Sequence, residues 1–277
     1  MNSILILFLF IQLSKSICIY NGPGASNVND YVTGIQEILS NKYTIKLINS
    51  TDIITNNILS TCTLLVMPGG ADKPYCEALN GEGNKRIKQF IQSGGSYLGI
   101  CAGAYYASTI VLFDENGPDT ISEPRELELY HGMARGPLFK QFNPTSIESV
   151  AAVNITLIDQ TLVKQYNNRN VSLMAYYHGG PFFCYEDPSY YPSETIAVFP
   201  MTDELKSTLY LQPEADAYSS DYPNSFDAIV FMRKGSGKIV LSSVHLENNY
   251  FDELNTDNVI SRKELLSYLL KKLGLQL

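Results

Sequence analysis

The sequence predicts an α/β fold in which a mostly parallel β-sheet carries helices on both faces. Three observations support this prediction. Short apolar runs alternate along the first half of the chain with segments whose apolar residues recur at helical spacing. The runs are continuously apolar, as expected for parallel strands that are buried on both sides. Several of them end in glycine turns, such as the Pro-Gly-Gly that follows residue 67.

The elements of the first half follow in strand–helix order. Strands are predicted at "ICIY" (17–20), "YTIKLIN" (43–49), "CTLLVM" (62–67) and "SYLGI" (96–100). Helices are predicted over 27–42, where apolar residues stand three and four apart, over the basic amphipathic segment 84–95, and over "AGAYYASTI" (102–110).

The second half adds extra β-rich segments and ends in an amphipathic helix. The apolar run 227–245 is interrupted by "GSG", which predicts a hairpin. The segments 184–194 and 213–225 are rich in proline, tyrosine and aspartate, and we expect them to be surface loops at a pocket rim. The other β-rich segments are 149–158, 171–180 and 195–200, and the final helix is "RKELLSYLLKKLG" (262–274).

Composition and charge exclude one broad class of function. The chain has 277 residues, of which 45% are hydrophobic, which is enough for a sizeable core. Its net charge is −8 and its pI about 4.9, with no long basic run. A nucleic-acid partner is therefore not expected, because such proteins need a basic face to neutralise phosphate.

The first 16 residues have the features of a signal peptide. An apolar block of ten residues (4–13) precedes Ser14-Lys15-Ser16, whose serines would stand at −3 and −1 of a cleavage site. The block is too short for a stable membrane span, which takes roughly 20 residues. We expect one domain over 17–277, in a secreted protein or one of the endomembrane lumen. The alternative is that 1–16 form a buried first strand or helix.

The cysteines and histidines do not indicate a metal site or a cofactor. The five cysteines include no C-x-x-C pair, and His131, His178 and His245 are scattered. An odd number in a secreted chain leaves at least one thiol outside intrachain bridges. If Cys101 is that thiol, the others could form up to two bridges. They are Cys18, Cys62, Cys76 and Cys184.

The strongest candidate for chemistry is Gly99-Ile100-Cys101-Ala102-Gly103, at a predicted strand-to-helix junction. Flanking glycines let strand and helix approach closely around a strained turn, which is the geometry of a nucleophile elbow. A helix N-terminus also stabilises a thiolate. The alternative is a buried cysteine in a glycine-rich turn.

Two further segments could complete a reaction site. Gly69 and Gly70 follow a buried strand, and their N–H groups, with that of Ala102, would form an oxyanion hole. His245 and Glu247 stand two residues apart, so in extended chain both point the same way and the carboxylate can orient the imidazole. The alternatives are a plain turn and two polar residues that leave a strand for solvent.

Together these segments stand in the order found in the class I glutamine amidotransferase-like fold. More closely, the sequence resembles the N-terminal domain of fungal-type biotin-protein ligases over nearly all of 17–250. The resemblance implies a flavodoxin-like sheet with a Cys101-His245-Glu247 triad at its carboxyl edge. It rests on "YNGPGAS" (20–26), "LLVMPGGADKPYCEALNGEGNKRIKQFIQSGGSYLGICAGAYYAS" (64–108), "RELELYHGMARGP" (125–137) and "VHLE" (244–247).

The sequence also departs from what the resemblance implies. True glutamine amidotransferases commonly carry glutamine four residues after the cysteine, where this chain has Tyr105. No Arg/Gly-rich adenylate loop of a biotin-ligating domain is found, so biotinylation is not expected.

Other residues near these motifs are weaker candidates. Tyr105, His178 and Gly179 could line the pocket, with a plain core position as the alternative for Tyr105. A structural role fits both His131 and His178 better. Substrate-contacting candidates after the Gly-Gly turn are Asp72, Tyr75, Glu77 and Glu82, with a solvated loop as the alternative.

Three functions remain open at this point. The sequence favours a hydrolase that uses Cys101 to attack an amide or related acyl carbon of a small-molecule substrate. A non-catalytic module that binds a small molecule or a partner is the alternative, and a peptidase is a weaker third.

Overall fold

The computed structural model describes residues 15–39, 42–115, 117–139, 150–167, 171–184, 189, 192–203, 225–255 and 259–277. Its strands are β1 (Lys15–Tyr20), β2 (Tyr43–Ile48), β3 (Cys62–Met67), β4 (Ser96–Ile100), β5 (Ser108–Phe113), β6 (Ile121–Pro124), β7 (Tyr130–Gly136), β8 (Ala151–Leu157), β9 (Val171–Tyr177), β10 (Phe182–Cys184), β11 (Glu194–Pro200), β12 (Ser225–Lys234) and β13 (Gly237–Ser242). Its α-helices are α1 (Val28–Gln36), α2 (Ser50–Ile54), α3 (Asp72–Leu79), α4 (Glu82–Gln92), α5 (Ala102–Ala107), α6 (Gln160–Gln165) and α7 (Arg262–Lys272).

One half of the sheet is parallel. Its strand order is β2-β1-β3-β4-β13, and each neighbouring pair in this series is parallel. The predicted strands of the first half are all present, and the α/β prediction is confirmed. Strand β1 begins at Lys15, so Lys15 and Ser16 pair with β2 as part of the strand.

The other half of the sheet is mainly antiparallel and continues from β13 in the order β12-β10-β7-β5-β6. The predicted hairpin is confirmed, because Lys234 of β12 pairs with Gly237 of β13 across a two-residue turn. Strands β11, β8 and β9 extend from β12 as a branch. These strands are the extra β-rich segments expected from the sequence.

Helices cover both faces of the parallel half and create two apolar cores. Alternate residues of β1 divide between them, with Ile17 and Ile19 on one face and Cys18 and Tyr20 on the other. Helices α1 and α7 cover the first face, through residues such as Tyr31 and Leu269. Helices α3, α4 and α5 cover the second.

The helix predicted over 102–110 is wrong at its end. Helix α5 ends at Ala107, and Ser108 begins β5. Thr109, Ile110 and Val111 are β-branched and favour a strand. Strands β6, β7 and β10 were not predicted, and most of the expected loop residues in 184–194 and 213–225 lie outside the described residues.

The cysteines form one intrachain bridge, between Cys18 of β1 and Cys62 of β3, with their Cα atoms 5.8 Å apart. Cys76 and Cys101 are free thiols, and Cys184 is buried. Within the described segments, no helix combines the length and apolar character needed to cross a membrane.

Candidate active site

A cavity of about 560 Å³ opens at the carboxyl ends of the parallel strands. Loops after β1, β3, β4 and β13 meet there, as expected for the ligand-binding edge of an open α/β sheet. The cavity brings together most of the residues singled out in the sequence. Cys101, Gly70, Ala102, Tyr105, His178, Gly179, His245 and Glu247 all line it.

Cys101 occupies a strained turn between β4 and α5. Its φ is 51° and its ψ −106°, a conformation that residues other than glycine rarely adopt. The backbone is held there by hydrogen bonds from Cys101 N–H to the Ser242 carbonyl (2.9 Å) and from Gly103 N–H to the Pro68 carbonyl (3.0 Å). A Cβ at Gly103 would collide with the Met67 carbonyl, so only glycine permits this approach.

His245 and Glu247 lie beside Cys101 at the end of β13. The imidazole Nδ1 is 2.7 Å from Glu247 Oε1, and both side chains are largely buried. The backbone N–H of His245 donates to the Tyr176 carbonyl at 2.8 Å, which ties this segment to β9. Nε2 is buried and has no hydrogen-bond partner among the described residues. It is therefore the ring nitrogen that is available to the Cys101 thiol.

The environment of His245 favours its protonated form. Burial of the ring alone would lower its pKa, but the Glu247 carboxylate and the Cys101 sulfur outweigh burial and raise the pKa of His245 to about 10. The surroundings of the ring therefore favour the imidazolium over the neutral imidazole. A cation in this place stabilises a thiolate on Cys101 and can return a proton to a leaving group.

Tyr31 of α1 contacts both His245 and the glycine turn, a role that the sequence analysis did not identify. Its Oη accepts the Gly69 N–H at 2.6 Å and lies 3.3 Å from His245 Nδ1. Burial and the nearby Glu247 carboxylate raise the pKa of Tyr31 well above its usual value, so the hydroxyl stays neutral. In the sequence, Tyr31 fits the apolar spacing of α1, and this spacing predicts only that Tyr31 is buried in the core. Nothing in the pattern indicates a contact with His245.

The sequence predicts Gly69 as an oxyanion donor, and the structure shows a different arrangement at this residue. Its N–H is engaged by the Tyr31 hydroxyl and is not free to hold an oxyanion in this conformation. The prediction failed at this position because a residue from α1, 38 positions away, supplies the acceptor. Gly69 instead leaves room for the imidazole, since a Cβ there would lie 2.8 Å from His245 Cε1.

Gly70 and Ala102 line the cavity and are the remaining candidates for oxyanion donors. The turn pairs with the loop after β1 through Ser26 N–H to the Gly69 carbonyl (3.0 Å) and Ala71 N–H to the Gly24 carbonyl (2.9 Å). In such a pairing, the N–H of the intervening Gly70 points to the opposite side. Among the described residues, neither this N–H nor that of Ala102 has a protein acceptor. Both can therefore donate to an oxyanion.

Contacts from two helices fix Glu247. Gly34 of α1 packs directly on its backbone, where a Cβ would lie 2.8 Å from Glu247 Cα. Arg262 of α7 is buried and donates to the Leu246 carbonyl at 2.7 Å. Glu247 therefore has little freedom to leave the imidazole, and its Oε2 is buried without a partner among the described residues.

The remaining sequence candidates divide between the cavity and other regions. Asp72 lines the cavity, and its carboxylate accepts a hydrogen bond from buried Arg125 at 2.7 Å. Tyr75 is a core residue whose hydroxyl donates to the Pro68 carbonyl at 3.0 Å. His131 lies on β7 with its Nε2 3.4 Å from Lys234 Nζ. Glu77 and Glu82 are exposed and are not among the described lining residues.

In the part of the chain that the structure describes, His, Cys, Asp and Glu side chains form no group of three or more that could hold a metal ion.

Two solved structures resemble the fold at low sequence identity. A chain of the PurLQS structure from Thermotoga maritima has a TM-score of 0.56 and 13% identity, with 93% of this chain and 99% of that chain covered. A thua-like protein from Bacteroides uniformis has a TM-score of 0.53 and 9% identity, with 92% and 89% covered. At such identities the likeness shows the fold alone.

Two sequence relatives are more similar. The biotin–protein ligase of Schizosaccharomyces pombe is 29% identical over 266 residues, which are 94% of this chain and 38% of the ligase. The chain therefore spans little more than a third of that relative's length. An uncharacterized protein of Chlamydia muridarum is 32% identical over 209 residues, which are 75% of this chain and 69% of that protein.

The sequence profile described as biotin-protein ligase, N terminal, matches residues 15–277. With the PurLQS neighbour, this match agrees with the resemblance seen in the sequence motifs. The chain belongs to the biotin-protein ligase N-terminal family and has a class I glutamine amidotransferase-like fold.

Proposed function

We propose that this protein is a cysteine hydrolase that cleaves an amide or a related acyl bond of a small molecule. The observation that carries the proposal is the arrangement of three side chains in one cavity. Cys101 lies on a strained turn, and His245 has its Nδ1 2.7 Å from Glu247 and lies near enough to the Cys101 sulfur for the sulfur to raise its pKa. This is the relation of nucleophile, base and orienting carboxylate found in cysteine and serine hydrolases.

In the first step, the Cys101 thiolate attacks the substrate's acyl carbon. A C–S bond forms, and the carbonyl electrons move onto the oxygen, which the N–H groups of Gly70 and Ala102 receive. The C–N bond then breaks, and the His245 imidazolium gives its Nε2 proton to the leaving amine. Glu247 holds the ring and stabilises its positive charge through Nδ1.

In the second step, water hydrolyses the thioester. His245 Nε2 takes a proton from the water as its oxygen attacks the acyl carbon, and the C–S bond breaks. The carboxylic acid leaves, and the sulfur regains its thiolate–imidazolium pair with His245. Both steps use residues that line the described cavity.

The direct test compares hydrolysis by the wild-type protein with that by Cys101→Ser, using amides and activated esters. We expect turnover in the wild type and a loss of about 10³-fold or more in the variant. Cys76→Ser is the matched control, because Cys76 is also a free cysteine but is not among the described lining residues. Turnover that survives in Cys101→Ser would overturn the proposal.

A non-catalytic binding module is the second candidate, and Tyr105 favours it. The Tyr105 hydroxyl donates to the Gly179 carbonyl at 3.0 Å, where an amidotransferase commonly offers a glutamine side chain to its substrate. If wild type and Cys101→Ser bind a small molecule equally well and neither turns over any acyl substrate, this second function replaces the first.

We also propose that residues 1–16 are a signal peptide and that the protein is secreted or lies in the endomembrane lumen. The apolar block 4–13 and the Cys18–Cys62 bridge support this proposal, since disulfides persist in oxidising compartments. Cleavage after Ser16 would leave Ile17–Tyr20 paired in β1. Mass spectrometry of the expressed protein should find Ile17 at the N-terminus, and a chain that retains 1–16 would contradict the proposal.

A further inference from the structure

One side of the cavity is an apolar wall that extends away from Cys101. Tyr105 stands one helical turn beyond Cys101, and its ring meets Phe113 edge to face with 5.7 Å between centroids. Phe113 of β5 pairs directly with Ile121 of β6, and Val111 lies two residues earlier on the same face of β5. We call Tyr105, Val111, Phe113 and Ile121 the apolar arm, and all four line the cavity.

Apart from Tyr105, which lies on α5, the apolar arm comes from the part of the sheet outside the parallel half. Strands β5 and β6 form an antiparallel pair at its edge, beside β7. Val111 and Tyr105 are nearly fully buried, whereas Phe113 and Ile121 are partly exposed. The arm therefore offers a packed base and a partly open outer end, into which an apolar group on a substrate can move out of water.

The charged groups of the cavity do not favour an anionic substrate. Its described lining includes the carboxylates of Asp30, Asp72 and Asp119, besides Glu247. Lys73 is the one lysine or arginine among the described lining residues, and its Nζ already lies 3.5 Å from Glu123 Oε1. A substrate carboxylate would lose hydration here without gaining an unpaired lysine or arginine.

From these two features we propose that the site accepts substrates whose acyl group is neutral, apolar and about the size of an aromatic side chain. The acyl carbon would lie at Cys101 and its apolar group along the apolar arm. This inference rests on the proposed hydrolase function and names its substrate class. Glutamine falls outside the class, because its acyl chain ends in charged groups and Tyr105 already donates its hydroxyl proton to Gly179.

The test uses three p-nitrophenyl esters with the same leaving group: the 3-phenylpropanoate, the acetate and the hydrogen succinate. Each kcat/KM is divided by the ester's rate with free N-acetylcysteine, which removes differences in intrinsic reactivity. We expect the phenylpropanoate to exceed the acetate by on the order of tenfold or more, the discrimination expected of an apolar pocket. The succinate, which is anionic, should be the slowest.

A designed change of preference tests the apolar arm itself. Ile121→Lys places a cation at the outer end of the arm, on an edge strand that tolerates lysine. It should raise the ratio of succinate to phenylpropanoate turnover by about tenfold or more. Ser122→Lys is the matched control, because Ser122 is exposed on the same strand, is not among the lining residues and should leave the ratio unchanged.

The outcomes separate the inference from the function beneath it. If no ester acylates Cys101 in the wild type, the hydrolase function fails and the inference fails with it. If the esters acylate Cys101 but the acetate or the succinate is preferred, the function stands and the inference is overturned. A ratio that changes equally in Ile121→Lys and Ser122→Lys would also overturn the inference, since the arm would then play no part in selection.

Discussion

The two edges of the parallel half-sheet carry cavities of similar size but different character. The cavity at the carboxyl edge has a volume of about 560 Å³, and the one at the amino edge, where β3 and β4 begin, about 480 Å³. Each contains a cysteine. At the amino edge Cys62 is joined to Cys18, and the nearby Arg86 is paired with Glu82 at 2.7 Å. At the carboxyl edge Cys101 is a free thiol on strained backbone.

The two cavities therefore differ in the backbone conformation of their cysteines and in unsatisfied polar atoms, and not in volume. At the carboxyl edge, His245 Nε2 and Glu247 Oε2 are buried and find no hydrogen-bond partner in the part of the chain that the structure describes. No described residue that lines the amino-edge cavity has such an atom. Buried polar groups without partners cost free energy, so their presence in one cavity points to a role in binding or chemistry.

The largest expected effect comes from Glu247→Gln, which keeps the shape of the side chain and removes its charge. We expect hydrolysis to fall by about 10³- to 10⁴-fold, because the amide cannot stabilise the imidazolium or keep its orientation. The pKa of His245 should fall at the same time, since the Glu247 carboxylate helps to raise it. Steady-state kinetics and titration of the imidazole by NMR measure the two effects.

Glu82→Gln is the control at the other edge, because Glu82 pairs with an arginine that lines the amino-edge cavity. It should leave hydrolysis within about twofold of wild type, as expected for an exposed surface pair. If Glu247→Gln and Glu82→Gln lost equal amounts of hydrolytic activity, the carboxyl edge would have no special role in the reaction.

The next effect compares two glycines with positive φ. Gly70 has φ 132°, and a Cβ there would collide with the Gly24 carbonyl, so Gly70→Ala must displace the oxyanion turn. We expect hydrolysis to fall by about 10²-fold, the loss typical of one oxyanion donor. Gly94 has φ 106° and lines the amino-edge cavity, with 3.8 Å to the nearest neighbouring atom.

Gly94→Ala should therefore strain the backbone but leave kcat/KM near the wild-type value. Thermal unfolding of both variants measures the strain, and steady-state kinetics measures the loss of the donor. A Gly94→Ala variant as inactive as Gly70→Ala would mean that strain anywhere, and not the oxyanion turn, controls the rate.

A smaller effect is expected from Tyr31→Phe, which removes the acceptor of the Gly69 N–H and the hydroxyl beside His245. The variant should lose about 1 kcal/mol of stability and about tenfold in kcat, with little change in KM. Tyr75→Phe removes a comparable buried hydroxyl, which donates to Pro68, without touching His245. It should show the stability loss alone, whereas equal kcat values in the two variants would contradict a positioning role for Tyr31.

The smallest expected effect is that of pH on the rate near neutrality. Because the pKa of His245 is raised to about 10, the rate should stay nearly level from about pH 7 to about pH 9 and fall above that range. The free energy of unfolding should also decrease as the pH rises and His245 loses its proton. The raised pKa stabilises the fold fully below the unfolded value of about 6.5, and this contribution is lost as pH rises toward about 10. An alkaline limb near pH 7 would contradict a raised pKa.

The parallel half of the fold could be predicted well because its strands are continuously apolar and its helices are amphipathic. The antiparallel half could be predicted only in part. In β5, Ser108 follows a helix without a proline or glycine between them, so the helical pattern of 102–107 seemed to continue. In β6, Ile121 is partly buried and the other three residues are exposed, which leaves no periodic signal.

The candidate site likewise contains residues that the sequence could predict and residues that it could not. The sequence could predict that Cys101, His245 and Glu247 come together in one cavity, because each stands in a recognisable local pattern at the end of an apolar run. Tyr31 could not be predicted, because its role depends on the distance between α1 and the glycine turn, which no local pattern encodes. The same contact explains why Gly69 was wrongly assigned as an oxyanion donor. The pairing of Cys18 with Cys62 likewise follows from the adjacency of β1 and β3.

The most direct test of whether Cys101 is an activated nucleophile is the rate at which iodoacetamide alkylates Cys101 and Cys76 across a pH series. Mass spectrometry quantifies the modified peptides. We expect Cys101 to react rapidly well below pH 8.5, the usual pKa of a free cysteine. Cys76 is the internal control, because burial raises its pKa to about 11 and it should react only in strong alkali. A Cys101 that gains reactivity only above about pH 8.5, as an ordinary thiol does, would contradict an activated nucleophile.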